Sequence, residues 1–353
     1  MLPSRHLLTC LALVACSHDH SRATVPAKKV SITPAPDASN KLQVAAVQEI
    51  VDQCANPVAA AVLSRHSQQP VALVGHLGVE PTTIAARPGS TVKPILAWLA
   101  ADAGLLQPNE EVSCNSTFES GFHCFASHGT LTLPDAIAVS CNVYAFELAK
   151  RVGLERISSG FAQFGLGQKT GLVMHESSGF LPTPQWVATR ASSVSQRWDL
   201  LVGTGHGPIE VTPLQLAHAY VKLLDALDAA SSTPLEQIRQ EIKEGFRRVV
   251  EDERGTAHVA SEDPVRFAGK TGTAEGGTFT GPVAGADNSW FVGFAPVEKP
   301  HFVVAVVVVG GGQGVAPAAP IAGRILNRLV TNESGGIRQD RTNSPYGRRP
   351  TQQ

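Results

Sequence analysis

The sequence predicts an α+β domain: one antiparallel sheet built from both ends of the globular stretch, flanked by helices, with an all-helical subdomain inserted between the two halves. Three observations predict it. β-Branched, strand-like runs cluster at 58–75 and again at 267–309; the stretch between them carries helical periodicity; and "HFVVAVVVVG" is the long apolar run expected of a strand covered on both faces. With 353 residues and 43% hydrophobic content the chain can bury a large core. Twenty-nine basic against thirty acidic residues leave a net charge of −1, so no global field recruits nucleic acid or anionic lipid.

In chain order, "MLPSRHLLTCLALVAC" reads as an export signal over 1–15. Its apolar run is too short to span a bilayer, which takes ~20 residues. It ends in Leu13-Val14-Ala15-Cys16, similar to a bacterial lipobox, which predicts lipidation of Cys16 and a membrane anchor. Residues 16–40, rich in Ser, Pro, Ala and Thr, read as a flexible tether in which His18 and His20 are solvated linker residues. The globular domain covers 41–331, opening with a helix over 42–53 and a hairpin of strands at 58–63 and 71–75. Helices are predicted over 139–152, 213–227 and 234–251, the last with Thr233-Pro234 as cap and first-turn proline. Strands follow at 267–273, 289–296 and 302–309, then a helix over 318–330 and a tail without regular structure over 332–353.

After export Cys54, Cys114, Cys124 and Cys141 would enter an oxidising compartment. Cys114 and Cys124 bracket a polar, glycine-containing loop and form the candidate disulfide, with connectivity left open by sequence; Cys54 and Cys141 read as buried thiols. No metal ligand or cofactor is assigned. His128 and His206, beside glycines, read as turn or packing residues, and Trp290 as a sheet anchor.

The chemistry concentrates in "RPGSTVKPILAWLA", which sets Ser90 and Lys93 three residues apart at the mouth of a helix. Residues so spaced share a face, so a nucleophile and a base would be neighbours. The lysine must first be brought below its usual pKa of about 10.4, by burial and a second cation nearby. Two further stretches complete a pattern: "AVSCNVYAFELAKRVG" supplies Ser140-x-Asn142, and "FAGKTGTAEGG" supplies Lys270-Thr271-Gly272-Thr273. This ordered trio resembles the signature of penicillin-binding proteins and related β-lactamases. With "HGTLTLPDAIAVSCN", "FGLGQKTGLVMHESSGFLP", "IEVTPLQLAHAY", "RGTA" and "NSWFVGFAP", the chain resembles the transpeptidase domain of class B penicillin-binding proteins over about 44–330.

That resemblance implies a β-lactamase/transpeptidase-like fold and a cofactor-free D,D-transpeptidase on the periplasmic side of a bacterial membrane. It would act on the D-Ala-D-Ala ends of peptidoglycan stems, be acylated by β-lactams and have the cell-wall synthesis machinery as its partner. It assigns Ser90 as acylated nucleophile, Lys93 as its base, Ser140 as proton relay, Asn142 as holder of the substrate's side-chain amide, and Lys270 as the charge across the cleft. Thr271 and Thr273 would bind the terminal carboxylate beside Gly272, with the amides of Ser90 and Thr273 as oxyanion hole. The alternatives are a D,D-carboxypeptidase or weak serine β-lactamase, and a β-lactam or cell-wall binding sensor without turnover. Glu176 lacks the Glu-x-x-x-Asn context of a class A hydrolytic base, and Ser140-Cys141-Asn142 differs from the Ser-x-Val of class D enzymes, so transfer is favoured over hydrolysis. Two features depart from the family: the short leader in place of a transmembrane helix and large module, and "GTGHG" in place of Gly-Gln-Gly.

Overall fold

The computed structural model describes residues 38–119, 121–189, 197–260, 264–274, 287–312 and 317–342. The predicted export signal, Cys16, the predicted tether up to residue 37 and the end of the tail beyond Thr342 lie outside the described residues, while residues 38–40, expected to be tether, are the first of a helix. No described helix is long and apolar enough to cross a membrane.

The sheet assembles as the sequence predicts. Strands β1 (Val58–Ser64) and β2 (Pro70–His76) form the N-terminal hairpin after helix α1 (Ala38–Asp52). From the other end of the domain come β5 (Ala268–Ala274), β6 (Asn288–Ala295) and β7 (Phe302–Val308). The spatial order is β2-β1-β7-β6-β5, and every pairing is antiparallel. Val58 sits opposite Val308, so the first strand is zipped to the last. Every residue of β6 and β7 is buried, which is why these strands read as continuous apolar runs rather than alternating ones.

Between the hairpin and β5 lies the helical part. It comprises α2 (Lys93–Asp102), α3 (Leu133–Ala138), α4 (Asn142–Val152), α5 (Leu154–Gln163), α6 (Pro184–Ala188), α7 (Trp198–Gly203), α8 (Pro213–Asp228) and α9 (Thr233–Glu251). In α8, Thr212 and Gln215 exchange side-chain bonds with each other's backbone amides and Pro213 opens the first turn, which fixes where the helix starts. In α9, Ile238, Ile242, Phe246 and Val249 recur every three or four positions and are buried, the stripe that seats the helix on β5 and α3. Its N-cap is Ser232, which makes no side-chain cap bond, and Thr233 is its first helical residue. α10 (Ala318–Thr342) closes the sheet against β6 and β7 and continues to Thr342, into the stretch expected to lack regular structure.

Two local features differ from the sequence reading, and both matter at the site. The helix predicted over 139–152 breaks: α3 ends at Ala138, Ser140 takes a left-handed conformation with φ of 57°, and α4 starts at Asn142. A small hairpin of β3 (Val112–Cys114) and β4 (Gly129–Leu131) also stands within the helical part. Three-residue strands of mixed polarity carry no readable period, so no sequence pattern announces it.

Candidate active site

Ser90 lies in a 3-10 turn, Gly89–Val92, that runs directly into α2. At three residues per turn, positions i and i+3 eclipse, so the turn aligns Ser90 and Lys93 more closely than an α-helix would. The turn is held from several sides. Gly89 N–H donates to Gly205 O at 3.0 Å, Thr91 Oγ1 donates to Pro88 O at 2.9 Å, and Tyr220 OH donates to Thr91 O at 2.7 Å. Glycines let the surrounding chains approach: a Cβ on Gly272 would stand 2.5 Å from Pro88 O, and one on Gly205 would stand 2.0 Å from Gly89 O. β5 and the segment Gly203–Gly207 therefore press directly on the turn that carries Ser90, and Gly272 is needed for that approach.

Lys93 is buried, yet well partnered. Its Nζ donates to Ser140 O at 2.7 Å and to Asn142 Oδ1 at 2.7 Å, with Ser140 Oγ at 3.5 Å. The break in the predicted helix makes this geometry: the left-handed turn at Ser140 aims its carbonyl and hydroxyl at the lysine, and strained backbone of this kind clusters at functional sites. Burial pushes the Lys93 ammonium down to about 8, against a weaker upward pull from Cys141 and Cys124. Lys270, fully buried on β5, is held well below the ordinary lysine range, first by burial and then by the charge of Lys93. The requirement for a depressed lysine is thus met at Lys93 chiefly by desolvation. No hydrogen bond joins Ser90 to Lys93 among the described residues; such bonds often tighten only with substrate present.

Lys270 Nζ donates to Thr271 O at 3.1 Å and to Thr271 Oγ1 at 3.4 Å. Thr271 is buried, and Thr273 is half-buried with its backbone against Gly89. Asn142 is engaged on both ends, its Oδ1 by Lys93 and its Nδ2 donating to His123 O at 3.3 Å, which leaves one amide proton and one Oδ1 lone pair for a substrate amide. The structure thus brings Ser90, Lys93, Ser140, Asn142, Lys270, Gly272 and Thr273 onto three adjoining segments. His206, read from sequence as a turn or packing residue, follows Gly205 beside the turn that carries Ser90, and burial, then the charge of Lys93, push its imidazole down to about 4. It is neutral near pH 7. Trp290 is fully buried in β6, as a sheet anchor should be.

Glu176 turns inward to its own loop, accepting from Thr170 N–H and Thr170 Oγ1 at 2.7 Å each and from Val173 N–H at 3.2 Å. Burial acts to raise its pKa, but these bonds outweigh it and hold the carboxyl below the usual range.

The cysteines depart from expectation. Cys114 and Cys124 are free thiols rather than a disulfide. The β3–β4 hairpin and the start of α4 gather Cys114, Cys124, His128 and Cys141 so that their donor atoms all lie within 4.8 Å of one another. His128 Nδ1 stands 3.6 Å from Cys114 Sγ and 3.5 Å from Cys124 Sγ, while Asn142 N–H donates to Cys124 Sγ at 3.2 Å. The Cys141 thiol, donating to Cys124, holds Cys124 below the usual thiol range and is itself pushed up. Three sulfurs and an imidazole at this spacing are the donor set of a tetrahedral Zn²⁺ site. The sequence reading assigned no metal ligand because the four residues run from Cys114 to Cys141 without a Cys-x-x-Cys pair; the hairpin that unites them was the missing signal.

Residues 55–327 match the model of the penicillin binding protein transpeptidase domain. The chain is 29% identical over 283 residues to the peptidoglycan D,D-transpeptidase MrdA of Haemophilus influenzae, an alignment covering 68% of this chain and 44% of that protein. It is 29% identical over 293 residues to MrdA of Acinetobacter baumannii, covering 71% and 43%. The chain thus spans less than half the length of these relatives. A crystal structure of Pseudomonas aeruginosa PBP2 superposes with a TM-score of 0.71 at 24% identity, over 82% of this chain and 77% of the other, and has the same fold. The match of the domain model over most of the chain, on a fold whose sheet edge and two helix starts converge on Ser90, makes this protein a member of the penicillin-binding protein transpeptidase family.

Proposed function

We propose that the chain is a serine D,D-transpeptidase that crosslinks peptidoglycan stems through an acyl-enzyme on Ser90, and that β-lactams acylate the same serine. One observation carries this reading: the two 2.7 Å bonds from buried Lys93 to Ser140 O and Asn142 Oδ1. A neutral amine has two N–H groups and one lone pair. Those acceptors use both N–H groups, which leaves the lone pair for the proton of Ser90. Ser90 Oγ attacks the carbonyl between the two D-alanines, and the amides of Ser90 and Thr273 take up the oxyanion. A proton returns through Ser140 to the leaving D-alanine, whose carboxylate is held by Lys270 and the hydroxyls of Thr271 and Thr273. The amine of a second stem then attacks the ester, forming the crosslink and restoring Ser90.

The inward-turned Glu176 supports transfer over hydrolysis, since its carboxylate is occupied by Thr170 and Val173 rather than free to activate water. We read the leader as delivering the domain to the periplasmic side, held by a lipid on Cys16, with peptidoglycan stems as substrate and the cell-wall synthesis machinery as partner. Intact-mass spectrometry after brief exposure to benzylpenicillin tests the reading. The expected result is a single adduct that persists for many minutes on the wild type and is absent from Ser90→Ala. Rapid loss of the adduct would replace it with a β-lactamase, and a lasting adduct without turnover of a pentapeptide would leave a sensor module.

The cysteine cluster supports a structural Zn²⁺ held by Cys114, Cys124, His128 and Cys141. When bound, the ion would tie the β3–β4 hairpin to the start of α4, without joining the acyl chemistry. Protein prepared without chelator should carry about one equivalent of zinc by elemental analysis, lose it in Cys124→Ser, and melt lower after chelation. Metal-free wild type whose melting point ignores chelator would remove the site.

A further inference from the structure

The segment "RGTA" is absorbed by none of the roles above. It forms a turn beneath the end of α9: Gly255 N–H donates to Asp252 O at 2.8 Å and Ala257 N–H to Val249 O at 2.9 Å. A Cβ on Gly255 would meet Arg248 O and Val249 O at 2.4 Å each, so only glycine fits there. Arg254 ties the turn to α3 through Asp135 at 3.1 Å, and Thr256 N–H donates to Ala138 O at 3.2 Å, two residues before Ser140. The side chain of Thr256 reaches the opposite way, where its Oγ1 stands 2.6 Å from Thr271 Oγ1. One residue thus bonds the Ser140 segment through its backbone and the Lys270-Thr271-Gly272 strand through its hydroxyl.

Counting protons decides the direction of that short contact. Thr271 Oγ1 has one proton and two lone pairs. Lys270 Nζ stands as a donor to it at 3.4 Å, and an ionised carboxylate is an acceptor only. For Thr271 to bind a carboxylate its single O–H must point at the ligand, so the 2.6 Å contact must run from the Thr256 hydroxyl to Thr271 Oγ1. We infer that Thr256 is a positioning residue that fixes the Thr271 hydroxyl as a donor toward the terminal carboxylate of the stem. This deepens the function proposed above and rests on its assignment of Thr271. With Thr256 donating on one side and Lys270 on the other, both Thr271 lone pairs are used, and the chain of bonds polarises the outward O–H.

The test compares Thr256→Val, isosteric but without the hydroxyl, with Thr256→Ser, which keeps it. The second-order rate of acylation by benzylpenicillin should fall about tenfold in Thr256→Val, equivalent to about 1.4 kcal/mol, and return to within about twofold in Thr256→Ser. The loss should lie in the binding step rather than in the rate constant of the acylation step, and should disappear with benzylpenicillin methyl ester, which has no carboxylate. A merely structural role would depress acid and ester alike, and that result, or no loss with the acid, would overturn the inference. A second measurement does not depend on acylation. In a Ser90→Ala background, Thr256→Val should weaken N-acetyl-D-alanyl-D-alanine about tenfold and leave its C-terminal amide unchanged; equal affinities with and without Thr256→Val would overturn the inference whatever the adduct experiment says of Ser90.

Discussion

Replacing Lys93 with methionine should lower acylation of Ser90 by benzylpenicillin about 1,000-fold, within the span of general-base catalysis, while the protein stays folded. The side chain keeps its apolar stem in the pocket and loses only the amine that faces Ser140 O and Asn142 Oδ1. The pH profile of the wild type gives an independent check. The base must be neutral to act, and Lys93 loses its proton at about 8, so the acylation rate should climb about tenfold per pH unit below that value and level off above it. Other titratable groups with shifted values border the site. His206 changes charge near 4, below the window, and Lys270 is held well below the usual lysine range, as is Cys124 among thiols. Cys141 is pushed up. The rise toward 8, assigned to Lys93, should vanish in Lys93→Met. A flat wild-type profile between about pH 6 and 9, or near-normal acylation in Lys93→Met, would remove Lys93 as the base.

The second large effect is expected at a residue that touches no substrate. Gly205 sits at φ of 77°, and an added Cβ would lie 2.0 Å from the carbonyl oxygen of Gly89, the residue before Ser90. In Gly205→Ala the left-handed backbone costs about 1–2 kcal/mol, and displacing Gly89 strains or breaks its 3.0 Å bond to Gly205 O, worth about 1 kcal/mol. A melting point about 5 °C lower is expected, with acylation down about 100-fold because the serine is displaced relative to its base. Gly78→Ala is the control: φ is 80° there as well, but nothing lies within 4 Å of the added carbon. It should lose some stability and no acylation. If both variants acylate at the wild-type rate, the close approach around Gly89 is not what positions Ser90.

Much of this site could be read in one dimension because its parts are local. Ser90 and Lys93 are neighbours through helical spacing alone, and the apolar runs at both ends of the domain announce strands that need cover on two faces, which the structure supplies. The helix break at Ser140 was not legible. Alanine, valine and asparagine around it are compatible with an unbroken helix, and the strained turn persists because Lys93, the cysteines and Ala136 O hold it from outside the segment.

The sequence by itself determined the family resemblance and the sheet made from two distant halves, and it put Ser90 and Lys93 forward as candidate nucleophile and base, because each of these readings follows from residue type and short spacing. Tertiary structure alone decided how far Lys93 is depressed, since burial, the main cause, belongs to the assembled core. It also decided that Cys114 and Cys124 meet His128 and Cys141 instead of each other alone, and that Thr256 reaches Thr271. Those contacts join segments whose separation along the chain carries no periodic signal; only packing, which is cooperative and non-local, brings them within bonding distance.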